Sequence, residues 1–125
     1  MKKLKVLVID DVAEMRLLIK SFLKMSFPDI EMDLVSSGKD ALSKIQVNTY
    51  DVVLCDWEMP EMNGDEILKW MKEQDGIKDI PFIMVTAHNE KEYILNAMKL
   101  GVTDYIIKPF TAEIIGNKIS GVVKK

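Results

Sequence analysis

The chain has 125 residues, of which 48% are hydrophobic and 30% are charged, a balance typical of globular rather than disordered proteins. This length predicts one domain over residues 1–125, with no second domain. The net charge of -3, without any cluster of Lys and Arg, gives no electrostatic basis for binding nucleic acid. No apolar stretch approaches the roughly 18 residues of a membrane span, so we expect no membrane association. The single cysteine, Cys55, fits a reducing compartment and predicts a cytoplasmic protein.

Strand-like and helix-like segments alternate five times along the chain, which predicts an α/β domain. Four strand-like segments are continuous apolar runs, as expected of buried parallel strands: residues 6–9, 52–55, 82–85 and 105–107. The segment from Ile30 to Val35 differs, because Glu31 and Asp33 alternate with its apolar residues. It is predicted to be an edge strand with one solvent-exposed face. The fold class is therefore a doubly wound five-stranded parallel sheet inside a three-layer sandwich, with right-handed crossovers.

The helix-like segments carry apolar residues at helical spacing, most clearly in the first of them: Met15, Leu18, Ile19, Phe22 and Leu23. Asp75 and Gly76 are predicted to end the third helix. Asn89 and Glu92 have the spacing of a capping box for the fourth helix, which Gly101 is expected to end.

The fifth helix is predicted to begin after Thr111, whose hydroxyl can cap it. Gly116 and Gly121 lie inside this helix, and each costs about 1 kcal/mol relative to Ala. The fifth helix therefore depends on packing and is expected to be the loosest of the five.

Residues suited to phosphoryl chemistry follow four of the predicted strands: Asp10 with Asp11, then Asp56, Thr86 and Lys108. Because parallel strands open onto one edge of a sheet, these side chains should lie together. Carboxylates that lie close raise each other's pKa, and a hard divalent cation with oxygen ligands relieves that repulsion. The sequence therefore predicts a metal-assisted site in which Asp56 lies beside a cation and a lysine.

These residues resemble the receiver domains of two-component response regulators, and above all the single-domain chemotaxis regulators. The resemblance covers the whole chain, in order and at matching spacing. Beyond the acidic residues, it rests on further motifs: Met59-Pro60, Asn63-Gly64, Thr86-Ala87, Tyr105 and Lys108-Pro109-Phe110. It implies a flavodoxin-like (βα)5 fold with strand order 2-1-3-4-5.

The resemblance implies that Asp56 accepts a phosphoryl group from the phosphohistidine of a sensor histidine kinase. The implied cofactor is Mg²⁺, with Asp11 as a direct ligand and Asp10 holding the ion through water. Asp56 itself and the backbone carbonyl of Glu58 complete the implied ligand set. The ammonium of Lys108 would neutralise oxygens of the transferred group.

The resemblance also implies a switch formed by Thr86 and Tyr105. The Thr86 hydroxyl would move toward the phosphoryl group, and the Tyr105 ring would enter the space that it vacates. This movement would reshape the surface of the fourth helix, fifth strand and fifth helix, where a downstream protein such as a flagellar motor switch would bind. We expect a monomer without an output domain. Stand-alone receivers also act as phosphorelay shuttles or kinase-feedback proteins, and these roles stay open.

Two residues depart from the chemotaxis pattern, which commonly has Asn at the position of Glu58 and an acidic residue at the position of His88. Each stands two residues after a residue of the predicted site. We expect the two side chains to lie on opposite sides of the mouth above Asp56, where a carboxylate and an imidazole could approach each other.

Two functions of other classes share part of this pattern. A metal-dependent phosphatase that passes through an aspartyl-phosphate uses a similar set of residues, but in another chain order and with an inserted cap domain. A flavodoxin-like flavin carrier has the same fold, but it needs a phosphate loop rich in Gly, Ser and Thr after the first strand, which this sequence lacks. We therefore predict a signalling switch that is no enzyme beyond catalysing its own phosphorylation and dephosphorylation.

Overall fold

In the computed structural model, which describes residues 3–123, five strands and five helices alternate along the chain. The strands are β1 (Lys5–Ile9), β2 (Glu31–Val35), β3 (Val52–Cys55), β4 (Phe82–Thr86) and β5 (Asp104–Ile107). The helices are α1 (Ala13–Ser26), α2 (Gly38–Val47), α3 (Gly64–Lys72), α4 (Lys91–Leu100) and α5 (Ala112–Val123). The predicted α/β alternation is confirmed.

All strand pairs are parallel, and the strands stand in the order β2-β1-β3-β4-β5. The chain moves outward from β1 to β2 and then crosses back to form β3 on the other side of β1. The strand order therefore reverses between β1 and β3, and in such sheets ligands bind at the carboxyl ends of the strands near this point. The predicted doubly wound sandwich and its strand order are both confirmed.

Successive residues of the strands point to opposite faces of the sheet, and both faces of the three central strands are buried. The prediction that β5 is a buried strand is wrong, because β5 lies at the sheet edge and Ile107 is exposed. One core contains Leu7, Ile9, Val53, Cys55, Phe82 and Met84. The core on the other face contains Val6, Val8, Val52, Leu54, Ile83 and Val85. Burying one large aliphatic side chain contributes roughly 1.5–3 kcal/mol. The continuous apolar runs thus fix the register of the strands and, with it, the positions of the polar residues that follow them.

β2 lies at the sheet edge, as predicted, but its second face is only partly exposed to solvent. Glu31 is exposed, whereas Asp33 is half-buried and accepts a hydrogen bond from the hydroxyl of the buried Tyr50. Burial, reinforced by this bond, raises the pKa of Tyr50 above its ordinary value. The alternating pattern therefore predicted the position of the strand correctly and the environment of Asp33 incorrectly, because the pattern takes no account of a tyrosine from another segment.

Two predicted helix ends are wrong. α4 begins at Lys91, after Glu90, and the predicted capping box of Asn89 and Glu92 does not form at its start. The helix thus begins one residue later than the predicted cap at Asn89 implies. α3 ends at Lys72, and turns follow it before β4. A capping contact is present at the start of α3, where the Glu66 carboxylate accepts the backbone N–H of the residue before the helix at 2.8 Å.

The hydroxyl of Thr111 caps α5, as predicted, by accepting the Ile114 N–H at 3.1 Å. Gly116 is buried where α5 crosses α1, and a Cβ atom added to it would lie 2.5 Å from Ser26 Oγ. This glycine therefore permits close packing of the two helices, which agrees with the expectation that α5 depends on packing. Within residues 3–123, none of the helices has the length and apolar character that crossing a membrane requires.

Candidate functional site

Three aspartates meet at the carboxyl ends of β1 and β3. Carboxylate oxygens of Asp10, Asp11 and Asp56 all lie within 4.8 Å of one another. The sheet positions them, because Asp10 follows β1 and the Asp56 N–H donates to the Ile9 carbonyl at 3.0 Å. The first α-helix also contributes, since Arg16 Nη1 donates to the Asp10 carbonyl at 2.7 Å. The predicted clustering of the carboxylates is thus present in the structure.

The ammonium of Lys108 joins this cluster from the end of β5. Lys108 Nζ lies 3.1 Å from Asp10 Oδ2 and 3.5 Å from Asp56 Oδ2. Its backbone N–H donates to the Thr86 carbonyl at 2.8 Å, which fixes the lysine to the end of β4. One cation thus lies between two carboxylates, and Asp10 is only 1% exposed.

The pKa of Asp56 is raised above its usual value, first of all by burial. The Lys108 ammonium opposes this effect, and the nearby Asp10 charge adds to it. A single ammonium therefore does not fully compensate the charge of the acidic cluster. A further cation with a preference for oxygen ligands would favour ionised Asp56, and the carboxylates of the cluster are ligands of the kind that Mg²⁺ prefers.

Thr86 is buried at the end of β4, and its hydroxyl oxygen accepts the His88 N–H at 3.3 Å. Tyr105, on β5, is half-buried, and its hydroxyl donates to the His88 carbonyl at 2.9 Å. Burial is the largest cause that raises the pKa of Tyr105 to about 12, followed by the charge of Glu90 and the influence of Tyr93. Both predicted switch residues therefore contact one backbone segment, at His88.

An aromatic cluster surrounds this segment. The ring of His88 stacks on Tyr93, with centroids 3.9 Å apart and planes 3° apart. Trp57 presents an edge contact to Tyr93 at 5.2 Å and to Tyr105 at 6.4 Å. Trp57 is buried in the core. The sequence did not predict the stacking of Tyr93 on His88, because nothing in the spacing of these residues indicates it.

Glu58 and His88 approach each other as expected. His88 Nε2 lies 2.7 Å from Glu58 Oε2, which links the loop after β3 to the loop after β4. The side chain of Glu58 is thus engaged in this contact. The role of its backbone carbonyl as a metal ligand stays a prediction.

Gly64 belongs to the Asn63-Gly64 motif of the sequence, which did not predict the steric role of this glycine. A Cβ atom on Gly64 would collide with the backbone carbonyl of Asp56, and the Gly64 N–H donates to the Trp57 carbonyl at 2.6 Å. The start of α3 therefore packs directly against the acceptor's own backbone. The Asn63-Gly64 pair predicted only a loop, and a requirement for space cannot be recognised from that signal.

Cys55 lies directly before Asp56 and is completely buried. Burial, followed by the charge of Asp56, raises the pKa of its thiol well above the ordinary value. The thiol is therefore a core group.

Residues 6–120 match the response regulator receiver domain family. The chain belongs to that family. Two curated relatives span nearly its full length. The receiver is 33% identical over 125 residues to chemotaxis protein CheY-3 of Vibrio cholerae serotype O1, covering 99% of this chain and 95% of that protein. It is 36% identical over 122 residues to chemotaxis protein CheY1 of Helicobacter pylori, covering 96% and 97%.

A solved structure agrees with this assignment. The receiver superimposes on the chemotaxis response regulator CheY4 of Vibrio cholerae with a TM-score of 0.89 and 29% identity, covering 97% of this chain and 99% of that one. Receivers are phosphorylation-activated signalling switches rather than classical enzymes, and the family uses Mg²⁺ at an acidic pocket. The acidic cluster of this receiver forms such a pocket. The flavin carrier and the phosphatase considered above are not favoured.

Proposed function

We propose that this receiver accepts a phosphoryl group on Asp56 from the phosphohistidine of a sensor histidine kinase. The observation that supports this most strongly is the position of Lys108, whose ammonium lies within 3.5 Å of both Asp10 and Asp56 carboxylate oxygens. A carboxylate beside an ammonium and further acidic residues suits attack on phosphorus followed by neutralisation of the transferred charge.

Asp10, Asp11, Asp56 and the backbone carbonyl of Glu58 would hold Mg²⁺. The observation that supports this proposal is that carboxylate oxygens of the three aspartates lie within 4.8 Å of one another. Oxygen donors of this kind suit a hard cation. When bound, the cation supplies positive charge to the phosphoryl oxygens and to the repelling carboxylates.

In the transfer, a carboxylate oxygen of Asp56 attacks the phosphorus atom. The phosphorus–nitrogen bond breaks, and the donor imidazole leaves with the electron pair. Lys108 needs only to turn its ammonium from the two carboxylates to a phosphoryl oxygen. The Thr86 hydroxyl, which uses its oxygen to accept the His88 N–H, keeps its own proton available for donation to the phosphoryl group. The protein thus contributes position and charge to a reaction that it carries out on itself.

Thr86 and Tyr105 would convert phosphorylation into a change of surface. Movement of the Thr86 hydroxyl alters its bond with the His88 N–H, and the Tyr105 hydroxyl binds the carbonyl of that same residue. The ring of Tyr105 is half-buried on β5, next to α4. A change at the phosphoryl group can therefore change the exposure of this ring.

The target would bind the surface formed by α4, β5 and α5. This surface carries four exposed apolar side chains: Leu95, Met98, Ile107 and Ile114. Since the curated relatives are named as chemotaxis proteins, we propose a chemotaxis partner such as a flagellar motor switch. We expect the receiver to act in the cytoplasm, as a monomer whose single domain covers residues 1–125. A role as a phosphorelay shuttle or kinase-feedback protein is the second candidate among stand-alone receivers.

Intact mass measurement after incubation with a small phosphodonor tests the site. The parent should gain one phosphate with Mg²⁺ present and none in excess chelator. Asp56→Asn should gain none, whereas Asp51→Asn, at an aspartate outside the cluster, should label like the parent. Full labelling of Asp56→Asn, or of the parent in chelator, would contradict the assignment. Affinity capture with the phosphorylated and unphosphorylated forms side by side would then identify the target.

A further inference from the structure

The backbone of His88 contacts both residues of the proposed switch. Its N–H donates to the Thr86 hydroxyl oxygen at 3.3 Å, and its carbonyl accepts the Tyr105 hydroxyl at 2.9 Å. A displacement of this backbone would change at least one of the two bonds. We call the half-buried position of the Tyr105 ring, in which its hydroxyl donates to the His88 carbonyl, the inward position. The position of the His88 carbonyl therefore decides whether the Tyr105 hydroxyl finds an acceptor when the ring is inward.

The side chain of His88 is held from a different part of the fold. Its Nε2 lies 2.7 Å from Glu58 Oε2, and a carboxylate only accepts hydrogen bonds, so Nε2 carries the proton of this bond. Its ring stacks on Tyr93 of α4. The second ring nitrogen lies 3.6 Å from Glu90 Oε1, which is beyond hydrogen-bonding distance. Glu58 thus provides the hydrogen bond, and Tyr93 provides the packing surface.

We propose that Glu58 and His88 are positioning residues of the switch. Their contact, the Glu58–His88 bridge, holds the His88 carbonyl where it receives Tyr105 and so favours the inward ring before any phosphoryl group is bound. This inference rests on the proposed function, because it assigns a control of the same Thr86 and Tyr105 pair. The bridge connects the loop that follows the acceptor with the loop that follows Thr86.

The bridge is a weak contact that acts on a small energy difference. The Glu58 side chain is 67% exposed, so solvent screens the pair. A weak contact still shifts the ratio of two conformers when it is made in only one of them. The exposed fraction of the Tyr105 ring in the unphosphorylated receiver is therefore expected to depend on Glu58.

The test uses the full chain labelled with 3-fluorotyrosine and no phosphodonor. The chain has three tyrosines, and Tyr105→Phe assigns the signal of Tyr105. A soluble paramagnetic agent then reports how exposed that ring is. In Glu58→Ala the inward population should fall about two- to fivefold, the range expected for a screened pair. Glu58→Gln keeps an oxygen acceptor and should recover at least half of the loss.

Two further variants separate the bridge from general disturbance of the loop. His88→Phe keeps a ring that can stack on Tyr93 but has no N–H for Glu58, so it should match Glu58→Ala. The double variant should lose no more than either single variant, because both remove one contact. Glu92→Ala is the control at an exposed glutamate of α4, and it should change the Tyr105 exposure far less.

Unchanged exposure of Tyr105 in Glu58→Ala and His88→Phe would overturn the proposal, and so would additive losses in the double variant. These results are independent of the proposed function, because phosphate incorporation by the same variants is measured separately by mass. A parent protein that failed to label at Asp56 would refute the phosphoacceptor assignment. The exposure of the Tyr105 ring is measured without a phosphodonor, so that failure would not change the result for the Glu58–His88 bridge.

Discussion

Lys108 Nζ lies 3.1 Å from Asp10 Oδ2, an ion pair between a lysine that is 17% exposed and an aspartate that is almost fully buried. The same ammonium reaches Asp56 at 3.5 Å. Taking away one member of a buried pair leaves the other charge without compensation, which costs far more than losing an exposed pair. In the absence of a divalent cation, Lys108 is therefore a principal counter-charge of the acidic cluster.

Lys108→Gln should lower the free energy of unfolding in chelator by about 1.5–3 kcal/mol, the range for a hydrogen bond to a charged group. Urea unfolding at neutral pH measures the loss. Adding Mg²⁺ should recover part of it, because a bound cation stabilises only the folded state and supplies the missing positive charge.

Lys118→Gln is the matched control for this variant. Lys118 Nζ lies 2.9 Å from Asp104 Oδ1, but both side chains are about one-third exposed, at 37% and 33%. Lys118→Gln should lower the free energy of unfolding by less than about 1 kcal/mol, and Mg²⁺ should not change this loss. Equal losses for the two lysine variants, or a loss in Lys108→Gln that Mg²⁺ leaves unchanged, would contradict the role assigned to Lys108.

The raised pKa of Asp56 predicts that Asp56→Asn is more stable than the parent near neutral pH without divalent cations. Because the folded state binds this proton more tightly than the unfolded state, the contribution of Asp56 to stability is largest at low pH. It is lost as the pH rises through the folded pKa. Below about pH 4 the carboxyl is protonated in both states, and the two proteins should become alike.

Chemical unfolding in chelator at neutral and acidic pH measures this difference. Asp29→Asn, at an exposed aspartate outside the cluster, serves as the control for the substitution itself. A parent that is more stable than Asp56→Asn at neutral pH would show that burial is not the dominant influence on Asp56.

Thr86→Ala should still accept phosphate at Asp56, because the carboxylate and Lys108 are unchanged. It should lose most of the response on α4, β5 and α5, since the Thr86 hydroxyl connects the phosphoryl group to the backbone that Tyr105 binds. Backbone amide shifts recorded before and after phosphorylation measure the response, with Thr49→Ala as a control at an exposed threonine outside the site and outside that surface. Shifts of equal size in Thr86→Ala and in the parent would refute the coupling.

The parts of the site that could be predicted are those that the sheet itself determines. Parallel strands bring their carboxyl ends to one edge, so apolar runs that end in Asp10, Asp56 or Lys108 were sufficient to predict the cluster. The start of α4 was predicted one residue too early, since the helix begins at Lys91 after Glu90 and the capping box expected from Asn89 and Glu92 does not form. The spacing of these two residues permits a capping box but does not require one.

Other contacts of the site depend on shape and not on spacing. Arg16 reaches the Asp10 carbonyl because α1 leaves β1 at a particular angle. Gly64 is required because the start of α3 presses against the Asp56 carbonyl. Neither a helix angle nor a close approach leaves a periodic signal in the sequence. The contact of Arg16 with Asp10 and the steric role of Gly64 were therefore found only in the structure.

The two glycines of α5 should respond differently to Ala. Gly121 is exposed, and an added Cβ would meet nothing within 4 Å, so Gly121→Ala should raise the free energy of unfolding by about 0.5–1 kcal/mol through helix propensity. Gly116→Ala should gain less than this or lose stability, because its Cβ would lie 2.5 Å from Ser26 Oγ at the contact with α1. Adding Ser26→Ala should relieve that collision and return Gly116→Ala toward the value for Gly121→Ala.

Urea unfolding of the parent, the two single glycine variants and the double variant of Gly116 and Ser26 measures the differences in the free energy of unfolding. Equal stabilisation by both single changes would show that the contact between α1 and α5 is looser than the structure indicates.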